Sequence, residues 1–294
     1  MWAIARAARN TARLFGSQRK LWVPFLVITV IELLLIGGVW LAPQHPFSML
    51  LAPPIRYFFG EQNLHYPWHL WFLYHVMKHT HFLTTTFVGA YMGGVACAMV
   101  RQAHQGQPLL LRTAIVSSQV RYGRLLLLWL ITWGIATGAM ELVTHFGPKA
   151  SWILWVTIGL SLALQSLLGY VIPAAVYEGS VWWRAFFRGI REVLRYPFST
   201  VAIVVIPTVI IILFAAMVPE TRVAQWMAQT APEIALACIA MRLLVWTLAD
   251  TILTVSLAHL WWAHRAIDQV TAATPSAIQS GLTTAKTQED PALA

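Results

Sequence analysis

Charged residues are scarce in this sequence. Only 11% of its 294 residues are Asp, Glu, Lys or Arg, whereas 58% are hydrophobic. Soluble domains carry about 25% charged and roughly 45–50% apolar residues. The composition therefore excludes an ordinary soluble domain and a disordered chain, and it indicates that lipid is the solvent for most of the apolar surface.

Cysteine and catalytic motifs are also scarce. The two cysteines, Cys97 and Cys238, lie in apolar runs, which favours buried thiols over a disulfide or a metal pair. The sequence contains no Walker A loop, G-x-S-x-G, H-E-x-x-H or C-x-x-C motif. We therefore identify no catalytic residue and expect a protein that is not an enzyme.

Acidic residues are outnumbered, with 11 Asp and Glu against 20 Lys and Arg, for a net charge of +9. No basic domain stands apart from the apolar runs, so we expect no nucleic-acid partner. The excess instead indicates the basic loops that membrane proteins place beside anionic lipid.

Six apolar stretches are long enough to cross a hydrocarbon core of about 30 Å as helices. They span residues 21–42, 82–100, 125–143, 151–176, 198–218 and 234–263. Long unbroken runs exclude the alternating pattern of a transmembrane β-barrel. The predicted fold is an all-α polytopic membrane protein with six transmembrane helices arranged as three hairpins.

A basic amphipathic segment precedes each hairpin, beginning near Ala3, Leu109 and Trp182. In the third segment, apolar and arginine residues at helical spacing lie on different faces, as in a helix at the lipid headgroups. The predicted organisation is a cytoplasmic amphipathic helix (1–20), a six-span membrane domain (21–265) and a disordered cytoplasmic tail (266–294).

The connection 43–81 is rich in proline and aromatic residues. Residues 47–59 are apolar but too short and too interrupted by proline to cross the membrane, which predicts a re-entrant or interfacial segment. Residues 66–81 are predicted to form a helix that continues into the second span. Rings expected to face lipid or a neighbouring subunit are Trp68, Trp71, Phe72 and Tyr74 here, and Trp182 and Trp183 in the third amphipathic segment.

Residues 172–179 read Ile-Pro-Ala-Ala-Val-Tyr-Glu-Gly, followed by Trp183-Arg-Ala185 and Arg195-Tyr-Pro197. This arrangement resembles a group of six-helix bacterial membrane proteins related to the membrane domain of some glycerophosphoryl diester phosphodiesterases. The resemblance implies the six-helix fold and a location in the bacterial inner membrane. It implies no catalytic residues, because no phosphodiesterase domain is present.

Four Asp, Glu or Arg residues lie within the predicted spans, namely Glu32, Glu141, Arg242 and Asp250. A charge inside the bilayer is costly and marks either a structural ion pair or a functional site. The structural interpretation pairs Arg242 with Glu32, or alternatively with Glu141. The functional interpretation is a secondary transporter whose proton or substrate path uses Glu32, Arg242 and Asp250.

Five of the ten histidines lie between residues 65 and 81. A copper site would use His75, Met77, His79 and His81. A b-type haem would use His79 and His145 as axial ligands. Lys78 opposes a bound cation, and in a helix Met77 and His81 leave the face that carries His75 and His79. We therefore expect no metal or cofactor, and keep a haem- or copper-binding redox subunit as an alternative.

Two G-x-x-x-G pairs, Gly89 with Gly93 and Gly134 with Gly138, predict close helix packing. The contacts would form within the chain or against another subunit. Together these patterns favour a non-catalytic scaffold or accessory subunit of a membrane complex, or a lipid-handling factor. Its expected partners are the lipid bilayer and other membrane subunits.

The distribution of basic residues predicts the orientation. Fifteen of the 20 Lys and Arg lie in segments on one side of the six spans, four lie on the other side, and Arg242 lies within a span. Both termini should therefore be cytoplasmic, with 43–81 outside. A fluorescent protein fused after Ala294 should be bright, and alkaline phosphatase fused there should be inactive. An active phosphatase at that position would reverse the assignment.

Overall fold

The protein was analysed as a computed structural model, which describes residue 16 and residues 18–65, 68–146, 152–178, 181–218 and 232–288. The described backbone is helical and contains no strand. Six of the described helical segments are long and apolar enough to cross a membrane. The chain is an all-α polytopic membrane protein, as predicted.

Eleven α-helices form the described part of the chain. They are α1 (Val23–Leu41), α2 (Phe47–Phe59), α3 (Trp68–Leu83), α4 (Ala90–His104), α5 (Leu111–Gln119), α6 (Tyr122–Phe146), α7 (Trp152–Leu168), α8 (Val171–Glu178), α9 (Trp182–Arg195), α10 (Pro197–Met217) and α11 (Pro232–Gln288). A 3-10 turn, Arg19–Trp22, leads into α1, and a π-helix, Thr84–Gly89, joins α3 to α4.

The membrane-spanning segments agree with the predicted ones to within a few residues at each end. They are Arg19–Leu41, His79–His104, Tyr122–Val143, Trp155–Glu178, Pro197–Met217 and Leu236–Arg265. The fourth span is interrupted between α7 and α8, where Gly169 and Tyr170 form a turn. Length and unbroken apolarity were therefore sufficient to locate the spans.

Helices α5 and α9 correspond to the second and third amphipathic segments, so both predicted helices are present. The first segment lies outside the described residues except for its last few positions. Lys20 donates to the Leu109 carbonyl, and Arg121 donates to the Val176 carbonyl. These contacts place the first two segments beside α8, on which α9 also packs, at one end of the molecule that is here called the basic end.

Helix α9 is held by a face of small residues. It buries Ala185, Gly189 and Val193 and leaves Phe187 and Leu194 exposed. At Gly189, a Cβ atom would lie 3.0 Å from both the backbone nitrogen and the Cα of Val171. The absence of a side chain there lets α9 approach the first turn of α8, while its large apolar side chains stay free to contact lipid.

The connection between the first two spans folds as predicted in outline. The apolar segment 47–59 forms α2, whose Met49, Leu50 and Tyr57 are largely exposed. Helix α3 continues through the π-helix into α4. Phe72 differs from the prediction, because it is only 9% exposed and packs against Phe59 with ring centroids 4.6 Å apart.

The exposure of the other predicted interface rings varies. Trp68, Trp182 and Trp183 are exposed by 59%, 42% and 44%. The side chains of Trp71 and Tyr74 lie outside the described set.

Helix α11 continues to Gln288, through a segment that the sequence analysis assigns to a disordered tail. Helical hydrogen bonds are local and need no apolar stripe, and alanine, the strongest helix former, recurs at positions 272, 273, 277 and 285.

Of the four glycines in the predicted G-x-x-x-G pairs, Gly89 approaches another helix at ordinary distance, since a Cβ built there would lie 4.0 Å from Cδ1 of Ile28 in α1 and 3.6 Å from the Thr85 Cβ. No described heavy atom lies within 4 Å of a Cβ built on Gly93, Gly134 or Gly138. Close approaches occur instead at three other glycines. These are Gly94 against Leu125, Gly169 against Leu257, and Gly189 against Val171.

The Gly189 contact can be tested by adding one methyl group. Gly189→Ala should lower the free energy of unfolding by about 1–3 kcal/mol, because the new Cβ meets backbone that cannot move independently. The midpoint of thermal unfolding of the purified protein in detergent measures this. Gly134→Ala is the matched control and should leave the midpoint unchanged or slightly raised. Equal midpoints for Gly189→Ala and the parent would contradict the assigned contact.

Candidate binding site within the membrane

A cavity of about 770 Å³ lies among the membrane-spanning helices. Every span contributes at least one lining residue from near its middle. One such residue from each span, in chain order, is Glu32, Gly93, Trp133, Gln165, Pro207 and Asp250. The cavity therefore lies near mid-depth of the bundle, where the surrounding bilayer is most apolar.

Glu32 is the most deeply buried charged group at this cavity. Its side chain is 3% exposed, and its Oε1 lies 2.7 Å from Nδ1 of His81. An ionised carboxylate only accepts hydrogen bonds, so Nδ1 of His81 donates to it. The contact joins the middle of α1 to the end of α3 and satisfies a carboxylate inside the bilayer.

Asp250 places a second carboxylate at the same cavity. Asp250 is exposed although it lies at the middle of the sixth span, and it lines the cavity. Thr29 and Thr247, one turn away from the two acids, lie 2.6 Å apart between their hydroxyl oxygens and tie α1 to α11.

The expected pair of Glu32 with Arg242 stays a prediction. The guanidinium of Arg242 lies 4.5 Å from the ring centroid of Trp246, and Trp246 in turn packs on His81 with centroids 4.8 Å apart. Trp246 lines the cavity and Arg242 does not. The ring of Trp246 therefore lies between Arg242 and His81, and its contact with the Arg242 guanidinium is a cation–π interaction.

Aromatic side chains form another part of the cavity wall. Phe82 packs against Trp133 with centroids 4.6 Å apart, and Trp129 stacks on Trp133 with an interplanar angle of 9°. All three rings line the cavity. Near them, Thr208 donates to the Gln165 side chain, and Gln165 donates to Ser161, which links α7 to α10 through polar groups.

Breaks in regular helix surround the cavity. Thr85 and Gly89 of the π-helix, Gly169 of the turn between α7 and α8, and Pro207 inside α10 all line it. Proline, π-helical turns and glycine breaks are the common origins of bends in membrane helices. The site is therefore built where three elements depart from a straight α-helix.

Glu178 forms a separate cluster at the basic end. Its side chain is 6% exposed, bonds to Arg188 at 2.8 Å, and also contacts Arg265. Arg121 donates to the Val176 carbonyl in the last turn of α8, so three cations surround a helix C-terminus. Burial, followed by repulsion from Arg101 and Arg124, lowers the pKa of Arg121. The cluster anchors α9 and α11 to α8.

The described copper-ligand candidates have other neighbours, and the copper alternative stays a prediction. Met77 is buried with Ile36 and Leu243, because the helical turn directs it into the bundle, and His81 bonds to Glu32. The side chain of His75 lies outside the described set. No group of three or more His, Cys, Asp or Glu that could hold a metal was found among the described residues.

The second haem candidate, His145, lies on α6 near Glu141, and both line a second pocket that shares no lining residue with the cavity. The haem alternative is not tested by these positions.

Protein-family models, curated proteins and solved structures were compared with the chain, and none matches it. The resemblance to the phosphodiesterase-associated membrane domain therefore stays a prediction.

The contact between Glu32 and His81 can be tested by removing the imidazole. His81→Leu leaves a buried carboxylate without this donor and should lower the free energy of unfolding by about 1–3 kcal/mol. His79→Leu, on the exposed side of the same helix, is the matched control. The double variant Glu32→Leu with His81→Leu should recover most of the loss. Thermal unfolding in detergent measures all three, and equal midpoints for His81→Leu and His79→Leu would refute the pairing.

Proposed function

We propose that this multi-pass membrane protein is a carrier of the secondary-transporter class. It binds a small amphipathic molecule in the central cavity and moves it within or across the bilayer without chemical conversion. The observation that carries the proposal is the cavity near mid-depth, which all six spans line and which two carboxylates and two histidines border.

Ionisable groups in this position favour binding over a purely structural role. Charged side chains within a bilayer are costly to insert, and apolar packing of the same volume would be at least as stable. Ligand sites in proteins are concave, mostly apolar and equipped with a few polar groups. The cavity has this composition, with Phe25, Ile28 and Leu253 beside Glu32 and Asp250.

The helix breaks supply the means of movement. Transport across a membrane requires that helices around a fixed site change their packing, and interrupted helices at the site are a recurrent solution. The π-helix, the turn at Gly169 and the proline at 207 all border this cavity. On this proposal the ligand sits at the points where α4, α8 and α10 can bend.

A scaffold or accessory subunit is the second candidate. It is favoured by Gly134 and Gly138 on α6, which have open space around them, and by the exposed ring of Trp68. Small residues with open space would admit the helix of another subunit. Under either candidate we propose a bacterial inner-membrane location with both termini cytoplasmic, on the charge distribution.

The carrier proposal can be tested by filling the cavity. Gly93 lines it, and no described atom lies within 4 Å of a Cβ built there. Gly93→Leu should therefore occupy ligand space without forcing the backbone apart. Small molecules retained by the protein after purification in lipid nanodiscs should be lost in this variant, as measured by untargeted mass spectrometry.

Gly134→Leu is the matched control, since Gly134 has similar open space but does not line the cavity. It should retain the same molecules as the parent. Retention that is equal in both variants and the parent, or no retained molecule in the parent, would contradict a ligand-binding cavity. Loss of a co-purifying protein in Gly134→Leu alone would favour the scaffold.

A further inference from the structure

We infer that the molecule bound in the cavity is an amphipathic organic cation, held by the carboxylate of Asp250 and by the aromatic wall of Phe82, Trp129 and Trp133. This inference rests on the proposed function and names the ligand class for the same site. It is carried by the charges of the lining, by the rings and by the cavity volume.

The charges of the lining favour a cation over an anion. The ionisable side chains that border the cavity are Glu32, Asp250, His79 and His81, with no lysine or arginine among the described lining residues. With both carboxylates ionised, the formal charge of the lining is −2 when the imidazoles are neutral and 0 when both are protonated. A bound anion would then be desolvated without a lysine or arginine as its countercharge.

The two carboxylates have different tasks. Glu32 is buried, and its Oε1 lies 2.7 Å from Nδ1 of His81, so its carboxylate already has a hydrogen-bond partner within the protein. Asp250 is exposed in the middle of its span and lines the cavity. Arg242 of the same helix lies against Trp246 and does not line the cavity. A cationic group on the ligand would therefore meet Asp250 as its countercharge.

The rings supply the second half of the site. The faces of Trp and Phe attract a cation through their quadrupole and also pack against apolar groups. Phe82, Trp129 and Trp133 form one continuous aromatic surface on the wall, with neighbouring centroids 4.6 to 6.4 Å apart. Such a surface suits a cation whose charge is surrounded by apolar or aromatic groups.

The volume limits the size of this cation. At about 770 Å³ the cavity lies in the range of roughly 300–1,000 Å³ that holds drug-sized molecules. The remaining lining is mainly apolar with a few hydroxyls, such as Thr132 and Thr247. An inorganic cation would leave most of this surface unused, whereas a lipophilic ammonium or phosphonium ion would cover it.

Two ions of nearly equal shape and opposite charge provide the test. Full-length protein in nanodiscs of phosphatidylcholine is equilibrated with labelled tetraphenylphosphonium or with tetraphenylborate. Binding is corrected with empty nanodiscs, since both ions partition into lipid. The variants are Asp250→Asn, Gly93→Leu to fill the cavity, and Glu141→Gln as a matched control, an acid in a span that does not line the cavity.

We expect saturable binding of the phosphonium ion, weakened about tenfold or more by Asp250→Asn, abolished by Gly93→Leu and unchanged by Glu141→Gln. Equal affinity for the borate ion, or binding that Asp250→Asn leaves intact, would overturn the cationic assignment. If both ions bind and both are lost in Gly93→Leu, the carrier proposal stands and only the ligand class is wrong. If neither ion binds above empty nanodiscs, the cationic assignment is refuted, and the retained molecules decide the carrier proposal independently.

Discussion

A carboxylate in the middle of a membrane-spanning helix needs a partner inside the protein, and this need organises the bundle around its cavity. The side chain of Glu32 is only 3% exposed at that depth, and His81 reaches it from α3. His81 is supported by Trp246 of α11, and α11 is joined to α1 through two threonine hydroxyls. Helices α1, α3 and α11 are thus joined at one depth, and Asp250 of α11 lines the cavity there.

The basic end differs from mid-depth because it is closely packed. There Glu178 is enclosed by arginines, Gly189 lets two helices touch at the backbone, and the largest cluster of buried apolar residues joins α4, α8 and α11. This end is closely packed, whereas mid-depth contains space. A carrier needs such a division, because helices can move around a site only if they pivot on a part of the bundle that keeps its packing.

Much of the fold was predictable from sequence, and much of the site was not. Spans, the helix at 47–59 and the amphipathic helix α9 depend on local composition and period, which a single sequence displays. The partner of Glu32 lies 49 positions along the chain, and spacing does not encode which face of α3 meets α1. Gly134 and Gly138 fit a packing motif, yet the close contacts are at Gly94, Gly169 and Gly189, where a neighbouring helix happens to cross. The acids Glu32 and Asp250 were found because charge inside an apolar run is visible in any sequence.

The π-helix at Thr84–Gly89 has a consequence for how sequences of this kind can diverge. Each residue turns a helix by about 100°, and a π-helical turn holds one residue more than an α-helical turn. Deleting a single residue between 84 and 89 would restore a regular α-helix and rotate all of α3 relative to α4. His81 would then leave Glu32, although no residue at the site had been substituted. In an alignment, a one-residue gap here would therefore mark chains that have lost the contact between Glu32 and His81. Such a gap would separate them from chains that keep the contact more sharply than the presence of a histidine at position 81 would.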